Sequence, residues 1–133
     1  MASDVALLFK AVKAGNVPVV RALLAENPEW VHARDKDEST PLHHAAWKGF
    51  PELVDVLIDA GADIGAHNRN DHWGTTPLHA AAHGNQKAAA EALIRRGADV
   101  NLAKTGGGSP LAETKVHNAT AVAKLLVAHG AVE

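Results

Sequence analysis

The most regular feature of the chain is a recurring set of paired apolar residues. Val19-Val20 is followed by Leu23-Leu24, Leu53-Val54 by Leu57-Ile58, Ala89-Ala90 by Leu93-Ile94, and Val122-Ala123 by Leu126-Val127. This i, i+1, i+4, i+5 spacing is one face of an α-helix, so four amphipathic helices are predicted. Ahead of them lie shorter helical segments rich in small residues, clearest at Ala45-Ala46 and Ala80-Ala81-Ala82. Small side chains there let neighbouring helices approach closely. A two-helix unit of this size cannot bury its own apolar face, so each must be covered by the next.

The punctuation between helices repeats as well. Thr40-Pro41-Leu42-His43 returns as Thr76-Pro77-Leu78-His79 and, weakened, as Ser109-Pro110-Leu111-Ala112. The hydroxyl residue suits an N-cap, where it takes an orphan backbone N–H, and proline suits N1, where no donor is needed. The prolines are 36 and 33 residues apart, and twenty residues after each comes Gly61-Ala62, Gly97-Ala98 or Gly130-Ala131. These glycines are predicted as left-handed helix terminators. Gly15, Gly49, Asn85 and Asn118 fall at the turn inside each unit and tolerate the left-handed backbone such a turn needs. Aligning backwards puts Leu7 at the proline position, which makes the first unit a degenerate copy.

Cap, turn and helix positions agree in register, and this register closely resembles the ankyrin repeat, with its period of about 33 residues and T-P-L-H-x-A signature. The third unit, TPLHAAAHGNQKAAAEALIRRGADVN, matches best. The resemblance implies an all-α fold, an ankyrin-repeat solenoid of four helix-turn-helix units in a right-handed stack with projecting β-turn fingers. It covers residues 1–133 as a single domain, with repeats roughly at 4–37, 38–73, 74–106 and 107–133.

Three departures alter this picture. Between Gly61 and Pro77 the chain carries three extra residues, assigned to the finger tip Asn68-Arg69-Asn70-Asp71-His72-Trp73-Gly74. That finger is expected to protrude. Lys10, Lys13 and Arg21 in the first unit, and Glu113 and Thr114-Lys115 in the last, stand where apolar or small residues are usual. Polar substitutions at both ends are what terminal capping repeats need, so the chain is expected to be complete or an independently folding fragment.

Composition narrows the function. Thirteen Lys and Arg against fifteen Asp and Glu give a net charge of -2, which argues against a nucleic-acid binder or a polybasic membrane anchor. There is no cysteine, so disulfides and thiolate metal sites are impossible. Charged residues interrupt the first apolar stretch, and no later run reaches about 18 apolar residues. A soluble, cytoplasmic monomer is the expectation.

Proteins that resemble ankyrin repeats act as binding modules through finger tips and the exposed side of each first helix. Carried onto this chain, that surface comprises Lys36, Asp37 and Ser39; Trp47 and Lys48; Arg69, His72, Trp73 and Thr75; His83; Lys104 and Thr105; and Val116 and His117. The expected function is a protein–protein interaction module, an adaptor or inhibitor holding a protein partner on the concave face. An exposed tryptophan on such a face is a typical hot-spot anchor. For Trp73 two readings stay open, an anchor or a residue that folds back onto Trp47 or His83. Trp30, after a helix end, reads as a packing residue.

The nine histidines raise an alternative, a metal- or small-ligand-sensing module. His79 and His83 stand four apart on a helix, a spacing that suits zinc, but no third ligand stands at motif distance. The resemblance gives His43 and His79 structural hydrogen bonds to the adjoining turn. No metal, cofactor or catalytic residue is therefore expected, and the chain reads as a non-enzyme. The run from Lys104 to Pro110 lacks the phosphate-loop pattern, and Asp35-Lys36-Asp37-Glu38 lacks the ligand order of a calcium loop.

Overall fold

The computed structural model describes residues 2–68, 75–104 and 107–132, the first three of these in their backbone only. Eight α-helices form among the described residues: α1 (Ala2–Lys13), α2 (Val17–Glu26), α3 (Pro41–Lys48), α4 (Pro51–Asp59), α5 (Pro77–His83), α6 (Lys87–Arg95), α7 (Pro110–Val116) and α8 (Thr120–Ala128). A 3-10 turn, Pro28–His32, follows α2, and no strand occurs among these residues.

Local chemistry sets the helix ends. The side chains of Thr40, Thr76 and Ser109 accept from the backbone N–H of His43, His79 and Ala112, and each is followed by proline. The four inner turns are left-handed, with φ of 73° at Gly15, 81° at Gly49, 52° at Asn85 and 55° at Asn118. In α1 the missing Thr-Pro start has a visible effect: the helix runs on from Ala2 through Leu7.

The odd-numbered helices pack side by side in one layer, α1 on α3, α3 on α5 and α5 on α7. The even-numbered helices do the same in a second layer. Between the layers runs one core, including Leu8, Val12, Val20, Leu42, Leu53, Leu57, Leu93 and Leu126, all at 0% exposure. The alanine pairs Ala45-Ala46 and Ala81-Ala82 are equally buried, which is where small side chains let helices come close. Trp30 packs against this core from the 3-10 turn, as its sequence position indicates.

Two expectations need correction. Lys10, Lys13 and Arg21 face solvent at the first end, but of the three polar residues named in the last unit only Lys115 does. Glu113 and Thr114 are buried, because Lys104 pairs with the carboxylate and the Thr114 hydroxyl donates to the Leu111 carbonyl. The outward faces at the two ends are instead partly apolar, with Leu7, Val19 and Val127 exposed. Asn68 is the second correction. It is buried at the base of the second finger rather than at a solvated tip.

Each finger is closed by a backbone hydrogen bond. Asp35 N–H donates to Ser39, Asn68 N–H to Thr75 and Lys104 N–H to Gly108, at 2.9–3.0 Å.

Candidate functional site

Between the fingers and the exposed side of α3, α5 and α7 lies a groove of about 570 Å³. Its base is built by the two buried histidines. His43 Nδ1 takes the Thr40 N–H at 3.2 Å, and His43 Nε2–H donates to the Thr75 carbonyl at 2.8 Å. His79 repeats the arrangement with Thr76 and, at 3.0 Å, with the Gly108 carbonyl. Burial lowers the pKa of both, that of His43 to about 4, against the opposing pull of the carbonyl bond. Both ring nitrogens are engaged on each histidine, so these groups set the finger positions and have no free lone pair to offer. That removes the His79–His83 pair as a chelate.

At the first finger, Asp35 Oδ1 accepts the N–H groups of Asp37 and Ser39, and Oδ2 meets His44 Nε2 at 2.7 Å. Burial works to raise the Asp35 pKa, but these hydrogen bonds outweigh it and hold the carboxyl below its ordinary value. The Asp35–Glu38 run is therefore a turn whose leading carboxylate is consumed internally. At the second finger, Asn68 Nδ2 donates to the Ser39 hydroxyl at 3.0 Å, while its Oδ1 takes the N–H and hydroxyl of Thr75, both at 2.9 Å.

The other end of the groove holds a continuous stack of rings. Trp47 on α3 lies against His83 on α5 with centroids 4.3 Å apart, and His83 lies against His117 just after α7 at 3.7 Å. Trp47 keeps 43% of its surface exposed. Beneath the rings, Glu113 Oε2 meets His83 Nδ1 at 3.4 Å and His117 Nε2 at 3.1 Å, and Oε1 accepts from Lys104 Nζ at 2.9 Å. Burial tends to raise the Glu113 pKa, yet Lys104 and the two histidines hold it below the ordinary carboxylate value.

Eight of the residues expected on the binding surface line this groove: Asp37, Ser39, Trp47, Thr75, His83, Lys104, Val116 and His117. Ser39 is not a free surface group, because it is buried and its hydroxyl serves Asn68. Lys36 and Lys48 are exposed but stand outside the groove. Arg69, His72, Trp73 and Thr105 lie outside the described residues, as does any contact of Trp73 with Trp47 or His83. Sequence reasoning missed His44, Asn68 and Glu113 as lining residues. For Glu113 a signal existed, the four-residue spacing to His117 on the same helical face.

The arrangement suits binding better than covalent chemistry. An exposed indole, the imidazoles and the Val116 side chain, 76% exposed, give a partly apolar surface with the exposed Asp37 beside it. No helix among the described residues is long and apolar enough to cross a membrane.

Comparison with known proteins identifies ankyrin repeats in the chain. Residues 3–68 match the family model for ankyrin repeats in three copies, and residues 73–105 match that for the single ankyrin repeat. Ankyrin repeat domain-containing protein 49 of Homo sapiens is 45% identical over 60 residues, 45% of this chain and 25% of that protein. Protein phosphatase 1 regulatory subunit 27 of Mus musculus is 39% identical over 66 residues, 50% of this chain and 42% of that protein. Serine/threonine-protein kinase VIK of Arabidopsis thaliana is 40% identical over 67 residues, 50% of this chain but 15% of the kinase. The chain therefore matches less than half the length of each of these relatives.

Proposed function

Because the chain belongs to the ankyrin-repeat family, we propose that it is an adaptor or inhibitor that holds a protein partner in the groove formed by α3, α5, α7 and the fingers. Ankyrin repeats generally mediate protein–protein interaction and are non-catalytic, and one of the relatives is by its name a regulatory subunit of a phosphatase. The reading takes the chain to act as a cytoplasmic monomer.

One observation carries the proposal. Trp47 is 43% exposed beside Ala45 and Ala46, both wholly buried, and its ring is held in place by stacking on His83. A pre-oriented, half-desolvated indole loses little entropy on binding, which is why tryptophan dominates interface hot spots. Asp37 is exposed beside the groove while Lys104 is largely covered and paired with Glu113, which disfavours a polyanionic partner.

The test is affinity capture with the native chain and with Trp47→Ala, followed by hydrogen–deuterium exchange on the complex with the captured partner. Protection is expected on α3, α5 and α7, with capture weakened by the substitution. Protection confined to α4 and α6 would place the partner on the other layer and overturn the groove.

A further inference from the structure

We propose that His83, Glu113 and His117 form a binding site for a divalent transition-metal ion of the zinc class, open towards the groove. The three come from separate parts of the chain: His83 ends α5, Glu113 lies within α7 and His117 follows it. One potential ligand atom from each lies within 4.8 Å of the others. His83 Nδ1 and His117 Nε2 both face Glu113 Oε2, at 3.4 and 3.1 Å. With zinc–ligand bonds of about 2.0–2.1 Å, the edge of a coordination tetrahedron is about 3.3 Å. Those two separations therefore already match tetrahedral edges.

The donor chemistry is selective. Two imidazole nitrogens and one carboxylate oxygen suit zinc and its neighbours, whereas magnesium and calcium favour all-oxygen sites. The two ring nitrogens that face Glu113 must present lone pairs to the ion, so a proton on either must first move to the ring's other nitrogen or leave. Three protein ligands leave a fourth position, and because all three residues line the groove, water or a partner side chain there would complete the shell.

The surroundings hold two of the ligands in place. Trp47 stacks on the His83 ring, and Lys104 Nζ fixes the carboxylate through Oε1 at 2.9 Å. Lys104 also sets a limit, because a cation so near opposes a second cation. Affinity in the micromolar range is expected rather than the tighter binding of a structural zinc site.

The experiment is zinc titration of the untagged full chain by calorimetry, with cobalt absorption as an optical readout of coordination geometry. One ion should bind per chain, with visible bands of a tetrahedral cobalt centre. His83→Gln and His117→Gln should each weaken binding by about tenfold or more. Both side chains are partly exposed, at 39% and 32%, so these variants are expected to fold. If a glutamine variant melts without cooperativity, imidazole NMR of the native chain reads the same point: zinc must shift His83 and His117 before the other seven of the nine histidines. No uptake at millimolar metal, binding undiminished in both glutamine variants, or earlier shifts elsewhere would each overturn the site.

Discussion

His43 is bonded to Thr75 across a repeat boundary: its Nε2–H donates to the Thr75 carbonyl at 2.8 Å while Nδ1 accepts the Thr40 N–H on its own unit. One neutral ring thus closes a helix cap and fixes the next finger at once. His79 does the same between Thr76 and Gly108. Protonation would put a hydrogen on Nδ1, where the backbone N–H now points, and would charge a buried group.

The first prediction concerns pH. In the unfolded chain His43 titrates near 6.5, and in the folded chain near 4. A depressed folded value means that the unfolded state binds the proton first, so stability is complete above pH 6.5 and lost as pH falls towards 4. From pH 7 to pH 5 the loss from His43 is about 2 kcal/mol, and His79 acts in the same direction. Urea unfolding at the two pH values should show a clear drop in midpoint. An unchanged midpoint would mean that these rings are not the neutral, buried clamps described.

The second prediction concerns Asn68. Its side chain joins the Ser39 hydroxyl to the Thr75 backbone and hydroxyl with three hydrogen bonds, in a buried position. Asn68→Ala leaves the Thr75 N–H without this acceptor and should cost about 2 kcal/mol. Thermal unfolding measures it. A loss within a few tenths of a kcal/mol would show that water replaces the amide and that the finger base is solvated after all.

These two cases show what the sequence made legible. Caps, inner turns and terminators are local backbone demands, so Thr40-Pro41, Gly49 and Gly61 announce themselves without tertiary information. Counting six residues from each proline also puts Trp47, His83 and Val116 in one row, which is why most of the groove could be named in advance. Asn68 could not, because a polar residue in a lengthened loop looks the same whether it is solvated or satisfied internally. Glu113 was hidden for a different reason. Its counterparts by register are His44 and Ala80, so no repeat pattern marks it, and its partner Lys104 comes from a finger whose reach no spacing encodes.

A third prediction separates two costs of replacing glycine. Gly49 and Gly61 both have left-handed backbones, with φ of 81° and 104°. A Cβ at Gly61 meets nothing within 4 Å, so Gly61→Ala should cost only the backbone strain, about 1 kcal/mol. At Gly49 the added carbon overlaps the Gln86 side-chain amide, which donates to the Trp47 carbonyl at the end of α3. Gly49→Ala should therefore cost about 1 kcal/mol more than Gly61→Ala. Equal losses in chemical denaturation would show that Gln86 moves aside freely.

The last prediction concerns the ion pair that anchors the third finger to α7. Lys104 and Glu113 side chains are 11% and 9% exposed and meet at 2.9 Å. Breaking a buried ion pair by removing one partner typically costs about 3–5 kcal/mol. The two imidazoles beside Glu113 soften this on one side: after Lys104→Met, the carboxylate still has His83 and His117 to hydrogen-bond it. Glu113→Leu removes the carboxylate from Lys104, His83 and His117 at once, so it is expected to be the more damaging single change. The double variant should lose less than the sum of the two, because neither charge is then left stranded. A double-mutant cycle by urea unfolding gives the coupling directly. Strict additivity would mean that the pair is screened by water and that the finger is held instead by the His79 bond to Gly108.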